Sequence, residues 1–301
     1  MREELFKNCT LCPRKCNVNR LEGKRGYCGM DSTIRAARAA LHMWEEPCIS
    51  GKKGSGADFF LWLRLAVLFL PEPGYCHWGF WKRKFQWSGL LKIFLELQEK
   101  GAANLNLVTG AHYVPHIISA LELARGKEMN LPVVYNSSGY ENVETIRRLD
   151  GYVDVYLPDM KYMEPELAAA FSNARDYPQA AQSAIAEMMR QTGPCQFAED
   201  GYIKRGTIVR HLILPGHTQN SIAVLKYLYR TYGEDIFISV MNQYTPVWKN
   251  EKFPELNRKV TRREYEKVLD AAIELGIENG YFQEGETAEE SFIPAFDYEG
   301  V

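Results

Sequence analysis

The sequence has no apolar run long enough to cross a bilayer, no strong charge imbalance and no long basic stretch. Its longest apolar run, residues 59–70, is broken by Arg64. That is well short of the roughly 20 residues a spanning helix needs, so no membrane partner is expected. Lys and Arg number 36 against 38 Asp and Glu, a formal net charge of -2. Proteins that hold nucleic acid through its phosphates carry a basic patch, so nucleic acid is disfavoured as a partner. Met1-Arg2-Glu3-Glu4 is charged and no apolar signal region follows it, which points to a cytoplasmic protein.

What is present is the composition of a globular chain. Of the 301 residues, 46% are hydrophobic and 25% charged, enough to bury a large core. From residue 101 onward, short β-branched runs alternate with amphipathic stretches. Strands are expected at 104–109, 132–135, 153–157, 207–214, 235–241 and 280–283. Helical spacing lies between them, to about 124, over 140–149, twice within 164–190, and over 221–232 and 261–275. Strand then helix, repeated about six times, implies a parallel sheet with crossover helices. The expected fold class is α/β, a partial (β/α)6-type barrel, with a doubly wound open sheet as the alternative. Two parts are expected: a Cys-rich metal-binding segment over 1–50 and the barrel over 51–301. In such folds chemistry gathers in loops after the C-terminal strand ends, here 109–112, 136–139, 158–161, 215–217 and 242–245.

Four of the seven cysteines stand close together. Cys9-Thr-Leu-Cys12-Pro-Arg-Lys-Cys16, then Cys28, give C-x2-C-x3-C-x11-C. Disulfides are disfavoured in a cytosolic chain, whereas four thiolates at this spacing suit tetrahedral Zn2+ or an iron–sulfur cluster. Lys15, Arg20, Lys24 and Arg25 lie among them and would offset the negative charge.

Other motifs are weaker. Gly51-Lys52-Lys53-Gly54-Ser55-Gly56 lacks the Lys-Ser/Thr after its last glycine that a phosphate loop needs, so a tight turn before a strand is expected. His112 and His116 are four apart but have no metalloprotease glutamate between them, and read as a helix start at a strand end. His211, beside Arg210, reads as a satisfied core histidine. Asp159 and Lys161 follow a strand and can do acid–base work.

Residues 61–92 break the chain's character. Trp62, Trp78, Trp81 and Trp87, four of six tryptophans, fall there in a segment of neither helical nor strand period. A reading-frame slip accounts for it. Shifting the implied codons by one base from Leu61 permits Ser-Gly-Cys-x3-Cys-x-Phe-Cys-Gln-Asn, with cysteines at the 63/64, 67/68 and 70/71 junctions. A second shift from Lys84 permits a better helix start than Phe85-Gln86-Trp87-Ser88-Gly89.

With that repair the chain resembles the radical S-adenosylmethionine (radical SAM) superfamily, and proteins similar to the pyruvate formate-lyase activating enzyme. The strings that carry the resemblance include Glu46-Pro47-Cys48-Ile49-Ser50-Gly51, Tyr135-Asn136-Ser137-Ser138-Gly139-Tyr140, Leu157-Pro158-Asp159-Met160-Lys161, His211-Leu212-Ile213-Leu214-Pro215-Gly216-His217 and Met241-Asn242-Gln243-Tyr244-Thr245-Pro246. The resemblance implies a [4Fe–4S] cluster on three cysteines and S-adenosylmethionine on the free iron. It implies an oxidoreductase that abstracts hydrogen from a small-molecule or glycyl-radical protein substrate, with flavodoxin or ferredoxin as electron donor. By position it makes Asn136, Asp159, Lys161 and Gly216 residues of the cofactor pocket. Cys9, Cys12, Cys16 and Cys28 would hold zinc or a second cluster. Without that repair the chain lacks C-x3-C-x2-C throughout, so impaired activity is expected of it.

Two other classes compete. One is a zinc-stabilised barrel lyase or hydrolase without radical chemistry, using Asp159, Lys161 and His211. The other is a binding module whose Trp-rich segment, with Trp78 and Trp81, stacks on nucleic acid.

Overall fold

The computed structural model describes residues 4–60, 85–246, 249–282 and 299–301. Nine strands form one sheet among them: β1 (Ala36–His42), β2 (Ser55–Phe60), β3 (Leu105–Val108), β4 (Val133–Ser137), β5 (Val155–Pro158), β6 (Gln196–Phe197), β7 (Ile203–Leu212), β8 (Phe237–Met241) and β9 (Gly280–Phe282). Their order is β1-β2-β3-β4-β5-β7-β8-β9, with β6 on β7. From β2 to β9 every neighbour along this path is parallel, and β1 and β6 are antiparallel additions. This is a mixed α/β fold with a mostly parallel sheet. The sheet begins inside the segment expected to stand apart as residues 1–50, because β1 pairs along β2. The Ala-rich run of β1 carries no β-branched residue, which is why periodicity passes over it.

Crossover helices join the parallel strands, as the right-handed β-α-β connection requires: α3 (Trp87–Glu99), α4 (Val114–Arg125), α5 (Val143–Arg147), α6 (Pro165–Ser172), α7 (Tyr177–Thr192), α8 (Thr218–Tyr232) and α9 (Arg262–Leu275). α9 starts on a capping box between Thr261 and Glu264 and ends on left-handed Gly276, the start and stop chemistry its sequence displays. α3 departs from expectation. It begins at Trp87 within the string judged a poor helix start, and Trp87 and Phe85 pack against the core. Burial of its apolar face, Leu90, Ile93, Phe94 and Leu97, outweighs the cost of Gly89. The repaired cysteine motif itself, and Trp78 and Trp81, lie outside the described residues.

Strand alternation divides the sheet into two faces. Leu105, Leu107, Tyr135 and Tyr156 join α3 and α4 in one apolar cluster, and Val209, Ile213, Ile238 and Val240 join α6, α7 and α8 in another. The alternate residues face away from the helices. There Val134, Val155, Leu157, Ile203 and Ile208 close around Cys48 and Ile49 of the single turn α2 (Pro47–Ser50), with Phe237 and Tyr281 against them. The Ile49 carbonyl accepts from Asn104 Nδ2 just before β3, while the Cys48 thiol hydrogen-bonds Tyr281 of β9, so the sheet curves round this one turn. His42 pairs with Ser55, which puts residues 43–54 at the N-terminal end of the parallel strands.

Asp58 violates this partition. It shares a register position with Leu107, so it points toward the helices. It is fully buried, neither carboxylate oxygen has a partner, and burial alone pushes its pKa up to about 8. The folded state therefore holds a proton that the unfolded chain releases near the ordinary 3.8. The contribution is complete below that value and is lost as pH rises to about 8, at up to about 1.4 kcal/mol per pH unit. Asp58→Val is expected to raise the urea midpoint at pH 8.5 and to flatten its dependence between pH 5 and 8.5. Equal midpoints for the two proteins at pH 8.5 would contradict this.

Candidate functional site

The helix-free face carries a charged set that the apolar pattern of the strands conceals. Arg210 lies in β7 at the same register level as Ser239 of β8. Its Nε donates to Asp159 Oδ1 at 3.0 Å, Nη1 to Glu45 Oε2 at 3.2 Å and Nη2 to Asn136 Oδ1 at 2.7 Å. Asp159 Oδ2 accepts from Lys161 Nζ at 2.6 Å. Glu45 Oε1 accepts from Asn106 Nδ2 at 3.0 Å and Asn136 Nδ2 at 3.2 Å. One guanidinium thus ties together the segment after β1, β4, the loop after β5 and β7. Its side chain is 17% exposed, with 14% for Asp159 and Lys161 and 7% for Glu45, so the set is largely but not wholly shielded from solvent.

Backbone clamps hold the loop ends that carry these groups. Gly139 has φ +75, and a Cβ there would sit 2.1 Å from the Asp159 carbonyl oxygen, so only glycine lets the loops after β4 and β5 approach. The Tyr177 hydroxyl accepts the Lys161 N–H at 3.0 Å and lies 2.8 and 2.9 Å from the Ser138 and Asp159 carbonyls. Asn220 Nδ2 donates to the Lys161 carbonyl at 2.9 Å.

The carboxyls of the set are driven in opposite directions. Burial would raise Asp159, but the charges and hydrogen bonds of Lys161 and Arg210 outweigh it and hold Asp159 below its ordinary value. Burial dominates at Glu45, which is raised despite Arg210 and the two asparagines, with Asp159 adding to the shift. Burial also raises Glu46 against the pull of Arg210, and Glu45 reinforces it. His42, at the edge of the set, is pushed down to about 4 by burial, then by Arg38 and Arg210. It is neutral at pH 7.

Of the pocket residues read from the sequence, Asn136, Asp159 and Lys161 meet here. Gly216 does not join them: its N–H donates to Glu264 Oε1 at 2.7 Å in the turn before α8. His211 points to the helical side. Its Nδ1 faces the Met160 carbonyl at 2.7 Å and Nε2 the Ser221 hydroxyl at 2.9 Å, and burial lowers its pKa to about 4. It is a satisfied core histidine and no part of the site. His112 and His116 start the turn and helix α4 after β3, with His116 Nε2 2.9 Å from the Ser32 carbonyl. The lysine-glycine string is the expected turn, its Lys52 and Lys53 N–H groups donating to Tyr202 Oη. Sequence reasoning missed Glu45, Glu46 and Asn106. The available signal was Arg210 itself, because a cation within a buried parallel strand requires an acid facing it.

The N-terminal cysteines lie on a hairpin in which Cys9 N donates to the Val18 carbonyl and Asn17 N to that of Cys9. Cys16 Sγ accepts the Tyr27 N–H at 3.2 Å. Cys9 packs with Phe6 and Leu11, while Cys28 packs into the large cluster with Met30 and Ile34. Among the described residues, no three His, Cys, Asp or Glu side chains form a group that could hold a metal ion.

Fold and site define an α/β chain with an ion network on the concave face of a parallel sheet. No family model matches it. An uncharacterized protein, MJ0674 of Methanocaldococcus jannaschii, is 27% identical over 282 residues, covering 90% of this chain and 75% of that one. The glycoside hydrolase domain of PelA from Pseudomonas aeruginosa has a TM-score of 0.33 at 16% identity, over 67% of this chain and 66% of its own. A variant of that domain gives 0.33 at 15%, over 70% and 68%.

The expected radical SAM oxidoreductase activity, with the iron–sulfur chemistry it entails, is corrected on the metal sites: the three-thiolate set that a [4Fe–4S] cluster requires has no counterpart among the described residues. Cys48 and Cys195 are two thiols, and burial raises both pKa values, Cys48 to about 12, opposite to what ligation needs.

Removing Arg210 takes one of two cation partners from Asp159, which keeps Lys161, and takes from Glu45 its one cation partner among the described residues. Arg210→Leu is expected to cost about 3–5 kcal/mol at pH 7, with a smaller penalty at pH 4 as the acids take up protons. Urea unfolding at both pH values checks this, and a penalty that is equal or larger at pH 4 would contradict it.

Proposed function

We propose that the chain is an enzyme of the lyase or hydrolase type that works by acid–base chemistry on a small polar molecule, at the C-terminal mouth of a partial α/β barrel. The observation that carries this reading is the split across Arg210: Asp159 is held as the carboxylate, while Glu45 and Glu46 are held toward the acid. Titratable neighbours whose surroundings push their pKa values apart are what a general base and a general acid require. Asp159 is the base. Glu46 is the acid, since its Oε2 has no partner and its proton is free to be given. Arg210 and Lys161 stabilise negative charge that develops between them, and Asn136 fixes the guanidinium. No helix among the described residues is long and apolar enough to cross a membrane.

The test is turnover of a panel of activated esters, phosphoesters, aryl glycosides and β-hydroxy acids. Activity on one class is expected, with a bell-shaped dependence of kcat/KM on pH. Asp159→Asn is expected to reduce kcat by 10^2–10^4, the usual size of a general-base contribution. Undiminished turnover in both Asp159→Asn and Glu46→Gln would overturn the reading.

A structural zinc on Cys9, Cys12, Cys16 and Cys28 forms the second part of the proposal. Its support is the hairpin that carries the first three thiols and the amide N–H aimed at Cys16 Sγ, the kind of donor that steadies a thiolate. The zinc would hold the segment against the sheet and take no part in the reaction. Metal analysis of the purified chain is expected to find one zinc, lost in Cys12→Ser. A metal-free chain after growth in zinc-supplemented medium would refute it.

A further inference from the structure

One exposed stripe of α9 carries its charges in the order least suited to a helix standing in water. Arg263 and Lys267 lie in its first half, Asp270 and Glu274 in its second, and the spacing keeps all of them on one face. Cations near the N-terminus and acids near the C-terminus each meet the like-signed end of the helix dipole. Arg263 with Lys267, and Asp270 with Glu274, are also like-charged neighbours one turn apart, an unfavourable spacing. The charges beside them are engaged elsewhere. Glu264 serves the capping box and Arg258, and Glu266 is paired with Arg262. Among the described residues Arg263, Lys267, Asp270 and Glu274 have no ion-pair partner, and neither has Lys226 of α8 beside them. The stripe borders a groove of about 640 Å3 between α8 and α9, whose apolar lining is Ile222, Ala271 and Leu275. Ile273 neighbours Asp270 by helical spacing and, at 68%, is the most exposed large apolar side chain described.

We propose that this face of α9 pairs with the same face of a second copy of the chain, antiparallel about a two-fold axis. The argument is charge complementarity. Turning α9 end for end against itself sets Arg263 opposite the partner's Glu274 and Lys267 opposite the partner's Asp270. One register satisfies both pairs, because the stripe is symmetric in position and opposite in sign about the midpoint between Val268 and Leu269. A two-fold interface makes each contact twice, here along about 17 Å of helix. The two helix dipoles then run in opposite directions, so each end of α9 meets the charge that its own sequence withholds. The groove's apolar lining and Ile273 supply surface for the contact to remove from water. Val268 and Ala272 hold α9 in the helical layer, away from the helix-free face, so the inference does not rest on the acid–base reading.

The experiment is sedimentation equilibrium of the full chain at low ionic strength. A reversible monomer–dimer equilibrium is expected, weakened by added salt. Lys267→Glu and Asp270→Lys each place like charges opposite one another twice at the centre of the interface. Each is expected to weaken its own dimer about tenfold or more. Mixing the two variants restores opposite charges at both central positions, since the Lys267→Glu chain keeps Asp270 and the Asp270→Lys chain keeps Lys267. The mixture is therefore expected to dimerise as the wild-type chain does, which a misfolded variant would not do. The inference is overturned if the wild-type chain is a monomer at every concentration, which would leave the groove to a different protein. It is overturned equally if the single reversals dimerise as the wild type does, or if their mixture dimerises no better than either alone.

Discussion

A guanidinium buried inside a parallel sheet cannot keep its charge without acids around it, and Arg210 sets the arrangement of everything on the concave face. Its guanidinium hydrogen-bonds Asp159, Glu45 and Asn136, and each of those comes from a different part of the chain. Glu45 can arrive only because residues 43–54 turn into the sheet at its N-terminal end. Asp159 can arrive only because Gly139 and Tyr177 let the loops after β4 and β5 close on each other. The curvature that packs five strands around α2 also brings these groups within reach of one side chain. An ion network of this kind does little for net stability. Its consequence is electrostatic, since the same cation that keeps Asp159 ionised is too weak to do so for the more deeply buried Glu45 and Glu46.

The strands β3, β4, β5, β7, β8 and β9 and the helices between them were legible because burial on both faces gives short β-branched runs, and crossover helices give a 3.6-residue period. The curvature of the sheet was legible only as an expectation of fold class. β1 was hidden by its alanines. α3 was hidden by an awkward first turn that tertiary packing of Leu90, Phe94 and Leu97 overrides. Within the site, Asp159, Lys161 and Asn136 stood out because they follow strands. Glu45 and Glu46 did not, since an acid pair before a proline reads as solvated turn, and nothing local tells that residues 43–54 fold inward. Gly216 and His211 follow the same strand-end logic and yet serve the turn before α8 and the helical layer, because position along a strand does not say which face a residue takes.

Two features work against the rest. Asp58 places an unpartnered carboxyl in the apolar layer beneath α3, where register demands a residue like Leu107. Cys9 of the N-terminal hairpin and Cys28 beyond it pack into two different apolar clusters, and a metal would have to draw the four thiols together. Neither feature touches the concave face, and the ion network there does not depend on them.

The central claim is that Arg210 separates the protonation states of its neighbouring acids. The most direct measurement is the titration of side-chain carboxyl carbons by 13C NMR in Asp- and Glu-labelled chain, with Asp159→Asn, Glu45→Gln and Glu46→Gln giving the assignments. The account predicts one aspartate signal titrating below the ordinary carboxylate range and two glutamate signals above it, with the separation lost in Arg210→Leu. Three carboxyls titrating together in the ordinary range, or Asp159 titrating above the two glutamates, would contradict it.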